Sequence, residues 1–306
     1  MTSSGWLRVG VDLGGTKTEA IALDPFGATL LRRRVPTPAS DYGAIVEAIA
    51  ALVRSIEAEI GREARVGVGV PGSISPQSGL IRNANTLVLN GRSLAEDLGR
   101  ALGRETRIEN DANCFALSEA TDGAGEGKEV VFGVILGTGV GGGLIVRGRL
   151  LKGANALAGE WGHNPLPRMR PDEFPGPRCY CGRDGCIETF LSGGALAGDY
   201  GGRSGQRVVA AKEVARRADS GDPLALGALD ACRDRLARAL ASVVNVVDPN
   251  VIVLGGGLSN IDRLYEGLEG LVGSYAFTDT LATPIVKNRH GDSGGVRGAA
   301  WLWESG

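Results

Sequence analysis

Two stretches of this chain repeat one pattern: GVDLGGTKTEAIAL from Gly10 and GVILGTGVGGGLIV from Gly133 each read as an apolar strand, a glycine turn and a second strand. Between and after them run segments with helical periodicity, so the chain reads as α/β with a duplicated lobe. At 306 residues it exceeds the size at which one hydrophobic core keeps growing, and two lobes with a ligand cleft between them are expected.

Around the first copy, Arg8–Leu13, Thr18–Leu23 and Thr29–Val35 read as an antiparallel meander, followed by a helix whose apolar face is Ile45, Ile49, Leu52, Val53 and Ile56. Val66–Val70 resumes as a strand stopped by Pro71-Gly72. Leu94–Leu102 is a helix, Thr106–Glu109 a short strand, and a further helix begins near Asp111. Around the second copy come the strands Val130–Leu136 and Gly143–Val146, and then a long helix over Pro223–Val247. A strand over Val251–Leu254 follows, then a helix from Ile261, a strand at Pro284–Lys287 and a last helix over Val296–Trp303. If that last helix packs back on the first lobe, the first lobe comprises residues 1–117 and 291–306. The second, 118–290, is then inserted between hinges near Leu117 and His290.

The 33 basic and 35 acidic residues leave a net charge of −2, which provides no basic field to gather nucleic acid or an anionic membrane. A small-molecule partner is expected instead. Met1–Gly10 holds no apolar run fit for a signal peptide and no later stretch suits a bilayer, so a cytoplasmic protein is expected. With 43% hydrophobic residues and no G-X-Y period, the 49 glycines must serve turns and close backbone approach.

The first glycine turn, Asp12-Leu13-Gly14-Gly15-Thr16-Lys17, joins two strands, so it is neither a Walker loop nor a dinucleotide fingerprint. Its backbone N–H groups and the Thr16 hydroxyl could receive phosphate oxygens, although an ordinary hairpin uses the same residues. Gly137-Thr138-Gly139 and Gly255-Gly256-Gly257 end two further strands, and three such turns could surround a nucleoside triphosphate. Asp12 could hold the magnesium that bridges its phosphates, or merely cap the turn.

Asp111 stands where a strand passes into a helix. Capping accounts for that position, and so does a carboxylate that accepts the proton of a hydroxyl attacking phosphorus. Asn110, Glu160, His163 and Glu188 are polar groups suited to hydroxyl-rich ligands.

Cys179, Cys181 and Cys186 lie within eight residues, with Gly182 and Gly185 between them, and an odd total of five cysteines argues against a disulfide framework. With His163 they make a Cys₃His set, which binds zinc as a closed structural site. Buried, unpaired thiols are the alternative. Cys114 and Cys232 fall at apolar helix positions and read as core packing.

These motifs together resemble the ROK family of sugar kinases and repressors: GVDLGGTK at Gly10–Lys17, ENDANC at Glu109–Cys114, ILGTGVGGG at Ile135–Gly143, GEWGH at Gly159–His163 and CYCGRDGCIE at Cys179–Glu188. The resemblance implies the two-lobed actin-like and hexokinase-like (ribonuclease H-like) ATPase fold, ATP with Mg²⁺, a hexose acceptor and a homodimer. Carried over residue by residue, it makes Asp111 the base and Gly72, Ser73, Asn110, Asp111, Glu160, His163 and Glu188 the sugar-binding residues. It makes Asp12, Gly14, Gly15, Thr16, Lys17, Gly137, Thr138, Gly139, Gly255, Gly256 and Gly257 the nucleotide-binding ones, and His163, Cys179, Cys181 and Cys186 the ligands of a structural Zn²⁺. Glu109 departs from the Asp usual in the family but keeps the charge. VPGSISPQSGLIRNANTLVLNG from Val70, GEWGHNPLP from Gly159 and HGDSGGVRGAAWLW from His290 look most like the bacterial fructokinases, which also take mannose. N-acetylglucosamine kinase and glucokinase of the same family are the alternatives. The sugar-sensing repressors of the family carry a winged helix for which nine residues before Gly10 leave no room.

Overall fold

The computed structural model describes residues 5–207 and 210–303. Residues 1–4 and 304–306, the ends of the expected first lobe, lie outside the described residues, as do 208–209. Contacts gather the chain into two units. One takes Met1–Glu126, Gly148–Ala158 and Asp292–Gly306, and the other Gly127–Arg147 and Gly159–Gly291. The boundary expected at 117 instead falls inside an unbroken helix, Asp111–Asp122, where Leu117 is buried.

The first unit is built on strands β1 (Arg8–Leu13), β2 (Lys17–Leu23) and β3 (Thr29–Pro36), followed by helix α1 (Tyr42–Ile60) and strand β4 (Arg65–Val70). Two short strands, β5 (Ser73–Ile74) and β6 (Ile81–Arg82), come before α2 (Leu94–Leu102), β7 (Thr106–Asn110) and α3 (Asp111–Asp122). The sheet runs β3-β2-β1-β4-β7, with β1, β4 and β7 parallel and β1–β2–β3 antiparallel. Asp41 caps α1 by accepting the Ala44 N–H, and the helix lays Ile45, Ile49, Leu52, Val53 and Ile56 into the core with Val9, Val11, Val66 and Val68.

The registers pair Asp12 with Gly69 and Val70 with Asn110, so the carboxyl ends of β1, β4 and β7 finish along one edge of the sheet. That edge carries Asp12, and Asp111, the expected base, follows directly from it. Behind the sheet, α3 is clamped by a terminal helix in which a Cβ on Gly298 would lie 1.6 Å from the Cys114 carbonyl oxygen. Only glycine allows that approach. The terminal helix covers Gly294–Ala300, ending before the expected Trp303, because the last residues leave it to dock the Trp303 indole on the Val66 carbonyl at 2.8 Å.

The second unit opens with β8 (Val130–Leu136) and β9 (Val140–Val146); a two-residue strand β10 (Arg149–Leu150) belongs to the first unit's Gly148–Ala158 segment. Three helices follow, α4 (Glu188–Leu191), α5 (Gly193–Ser204) and α6 (Ala211–Asp219), and then α7 (Pro223–Val247). The unit closes with β11 (Val251–Gly255), α8 (Leu268–Tyr275) and β12 (Ile285–Lys287). β9 is antiparallel to β8, while β8, β11 and β12 are parallel, the arrangement of the first unit's sheet again. Asp222 caps α7 with Pro223 in its first turn, and Leu229, Cys232, Leu236 and Leu240 line the core. The helix expected from Ile261 is replaced by a 3₁₀ turn, Asp262–Leu264, and α8. Ile261, Leu264, Leu268 and Val272 are all buried as a helical stripe requires, but Gly267 at φ 68° breaks the run.

Candidate active site and metal centre

In the first unit the site is set at the β7–α3 junction. Asn110, rather than Asp111, is the helix cap: its Oδ1 accepts the N–H groups of Ala112 at 2.9 Å and Asn113 at 3.2 Å. Its amide nitrogen donates to the Gly72 carbonyl at 2.9 Å and to Asp111 Oδ1 at 3.1 Å. Both ends of the Asn110 amide are therefore engaged within the protein, and it orients Asp111. Asp111 is the first helical residue of α3.

Glu109 lies beneath them and is buried. Its Oε1 accepts from the Asn110 N–H and from Asn113 Nδ2, while Oε2 meets Lys152 Nζ at 2.6 Å. The departure from Asp at this position thus buys reach to three partners. Lys152 had no signature in the sequence, because its role depends on the 148–158 segment returning to the first unit.

Ser73 is buried and its Oγ accepts from Arg82 Nε at 3.2 Å; Gly72 sits at φ 96° with its carbonyl taken by Asn110. Gly72 thus meets Asn110 directly, and the Ser73 hydroxyl is taken by Arg82. Asp12 ends β1 on the same edge. Burial pushes its carboxyl up to about 7, and the neighbouring charges of Asp111 and Glu19 add to the shift. Two carboxylates destabilising each other in this way form a site whose charge a divalent cation would neutralise. The Gly14–Lys17 turn closes with Gly14 N–H on the Lys17 carbonyl at 3.0 Å, and Gly15, Thr16 and Lys17 are exposed.

In the second unit, Gly137–Gly139 forms the matching turn, closed by the Gly137 N–H on the Gly139 carbonyl at 2.9 Å, with Thr138 exposed. The Gly255–Gly257 turn packs on the end of β8: Gly256 has φ 79°, and a Cβ there would lie 2.5 Å from the Leu136 carbonyl oxygen. Two of the three expected glycine turns are therefore adjacent.

The cysteine loop brings its four groups together. Cys179 Sγ lies 3.6 Å from His163 Nδ1, Cys181 Sγ lies 3.6 Å from Cys186 Sγ, and all four ligand atoms fall within 4.8 Å of one another. Tetrahedral ligands at zinc distances stand about 3.6–3.8 Å apart, so the donor set fits a closed zinc site. Burial raises the Cys179 thiol and pushes that of Cys186 up to about 12, whereas the Arg183 N–H lowers that of Cys181. A bound cation would offset the burial of such thiolates. With Nδ1 on the cysteine side, His163 Nε2 meets the Tyr180 hydroxyl at 3.0 Å, the kind of contact that fixes a ligand's tautomer. Tyr180 was missed in the sequence, although its place between two ligand cysteines was the signal. Glu160 precedes the 3₁₀ turn Trp161–His163, and Glu188 follows the loop with Oε2 accepting the Val140 N–H at 2.9 Å.

The lead-in to the loop is held by ions. Arg238 on α7 donates to the carbonyls of Pro167 and Arg168 and to both oxygens of Glu173. Burial opposes ionisation of Glu173, but hydrogen bonds from Arg238, the Arg170 N–H and Arg235 outweigh it and hold the carboxyl at about 2.

Among the described residues no helix is long and apolar enough to cross a membrane. The chain is 43% identical over 300 residues to the N-acetyl-D-glucosamine kinase of Erwinia tasmaniensis, covering 96% of this chain and 98% of that one. Its fold matches the ROK hexokinase from Thermus thermophilus with a TM-score of 0.84 at 34% identity, covering 96% of each chain. A ROK family glucokinase from Streptomyces griseus, in complex with glucose and AMPPNP, matches with a TM-score of 0.80 at 28% identity, covering 97% of this chain and 98% of that one. The fold is thus the hexokinase-like α/β fold with mixed sheets that the motifs implied. With the family model for ROK matching residues 8–305, the chain belongs to the ROK family.

Proposed function

We propose that this protein is an ATP-dependent sugar kinase whose acceptor is N-acetyl-D-glucosamine. The observation that carries the acceptor is the 43% identity, over nearly the whole of both chains, with an N-acetyl-D-glucosamine kinase. The fructokinase reading expected from the motifs gives way to the alternative. Short motifs around hydroxyl-binding residues do not separate hexoses that present similar hydroxyls, whereas the identity with that kinase extends over 300 residues.

The reaction moves the γ-phosphoryl of ATP to a sugar hydroxyl: an O–P bond forms at the acceptor oxygen, the bond to the β-phosphate oxygen breaks, and ADP leaves. Asp111 takes the hydroxyl proton as the new bond forms, with Asn110 holding its carboxylate in place. Asp12 is the residue to hold Mg²⁺, which neutralises charge on the phosphates. Gly14–Lys17, Gly137–Gly139 and Gly255–Gly257 offer backbone donors to the nucleotide. Glu160, His163 and Glu188 serve the sugar, and the Cys₃His set would hold a structural zinc beside them.

An ATP-coupled assay across N-acetylglucosamine, glucose, mannose and fructose, ranked by kcat/KM, tests the acceptor. N-acetylglucosamine should lead by at least about tenfold, the discrimination one well-placed polar contact provides. Fructose in first place would restore the fructokinase reading.

A further inference from the structure

Within the second unit one carboxylate joins the glycine turn to the cysteine loop. Glu188 lies two residues after Cys186 and begins α4, and its Oε2 accepts the Val140 N–H at 2.9 Å. A Cβ on Gly139 would lie 2.5 Å from that same oxygen, so a larger residue at 139 would have to displace the carboxylate tip. A second tie follows at the start of α5, where the Gly193 N–H donates to the Gly137 carbonyl at 2.8 Å. The other end of this segment is fastened to the cysteine loop: Ile187 N–H donates to Asn164 and Leu166 N–H to Gly185, each at 2.9 Å, and Pro165 bridges to Cys186. The path from His163 and Cys186 to Gly139 is unbroken and short.

The placement is electrostatically unexpected. A carboxylate beside a turn meant for phosphates repels them, and a sugar ligand has no need to touch that turn. Its service there is geometric, since it fixes the orientation of the Val140 peptide and so the direction of the turn's own N–H groups.

We infer that Glu188 is a positioning residue for the Gly137–Gly139 turn, tying it to the cysteine loop so that nucleotide affinity depends on the order of that loop. This rests on the kinase reading of the turn. The role is separate from sugar contact, for which the other oxygen of Glu188 makes no hydrogen bond among the described residues.

Calorimetric titration of the purified protein with MgADP, in the absence of sugar and alongside zinc analysis of each sample, tests it. Glu188→Ala at full zinc content should weaken MgADP binding by about tenfold, as expected for the loss of one charge-assisted hydrogen bond. Glu188→Gln, which keeps an acceptor and removes the repulsion, should bind within about threefold of the parent. Stripping zinc from the parent should weaken MgADP binding by a similar factor, and stripping it from Glu188→Ala should add little, because the two changes cut the same path. Unchanged MgADP affinity in Glu188→Ala overturns the inference, as does a glutamine variant as weak as alanine, or an equal further loss on stripping the variant. Should zinc removal unfold the protein, followed by circular dichroism, the zinc-loaded variants decide alone. A parent that binds no MgADP would instead refute the kinase reading.

Discussion

Both units grow from the same strand, glycine turn and strand, and they differ at one residue that matters. In register, Asp12 of β1 corresponds to Ile135 of β8, Gly14 to Gly137 and Thr16 to Gly139. The first unit therefore carries a carboxylate beneath its turn, raised to about 7 by burial and by its carboxylate neighbours. The second has an alkyl side chain there and brings its acid, Glu188, from outside the repeat. One scaffold thus presents a candidate catalytic edge in one unit, held by the ends of parallel strands, and in the other a turn supported by a loop, a candidate metal site and a long helix. The two units share the backbone because the backbone makes the turn, and their side chains differ because it does not depend on them.

The largest expected effect would break the chemical half of this comparison. Asp111→Asn should lower kcat by about 10³-fold, within the range for loss of a general base, while sugar affinity measured by calorimetry stays within a few-fold. A variant turning over at the parental rate would remove Asp111 from the role of base.

The supporting half is tested by Arg238→Ala, which leaves Glu173 charged, buried and without its main partner. Chemical denaturation at pH 7 should show the protein less stable by about 3 kcal/mol. Because the Glu173 carboxyl lies at about 2 in the fold, below its ordinary 4.5, the parent's advantage is present above pH 4.5. It should shrink as the pH falls through that window toward 2. Equal stability of the two proteins at neutral pH would show that the lead-in to the cysteine loop does not depend on this ion pair.

A smaller effect, of opposite sign, sharpens the contrast at the repeat itself. Asp12 is raised from 3.8 to about 7, so the fold favours its protonated form and loses stability as the pH rises from about 4 to 7. Asp12→Asn removes that penalty: in metal-free buffer it should be more stable than the parent by about 2 kcal/mol at pH 8 and by little at pH 4.5. Its activity should be lost. A variant less stable than the parent at pH 8 would mean that Asp12 is paired rather than strained.

Most strands and helices were legible because burial imposes a period, and Leu94–Leu102 and Pro223–Val247 carry it plainly. The pattern missed α5, where glycines blur the apolar stripe, and α6, a nine-residue helix in which Val214 is the one large apolar residue, and it could not see that Gly267 would interrupt the run from Ile261. The cysteine spacing disclosed the candidate metal centre, since three thiols in one loop have few ways to avoid meeting. Asn110 was harder to read. A residue type suited to sugar hydroxyls proved equally suited to capping α3, and only the fold shows its amide engaged by Gly72, Asp111 and the helix.

The sequence by itself determined the repeated strand and turn, the cysteine cluster and the Asn110–Asp111 pair at the start of α3, because each is a matter of local spacing. Tertiary structure decided which groups meet across long separations: Lys152 on Glu109, Glu188 at Gly139, and Arg238 on Glu173. Such pairs leave no mark on the residues between them. They depend on how separate segments return to one place, and packing of the core, not local preference, settles that return.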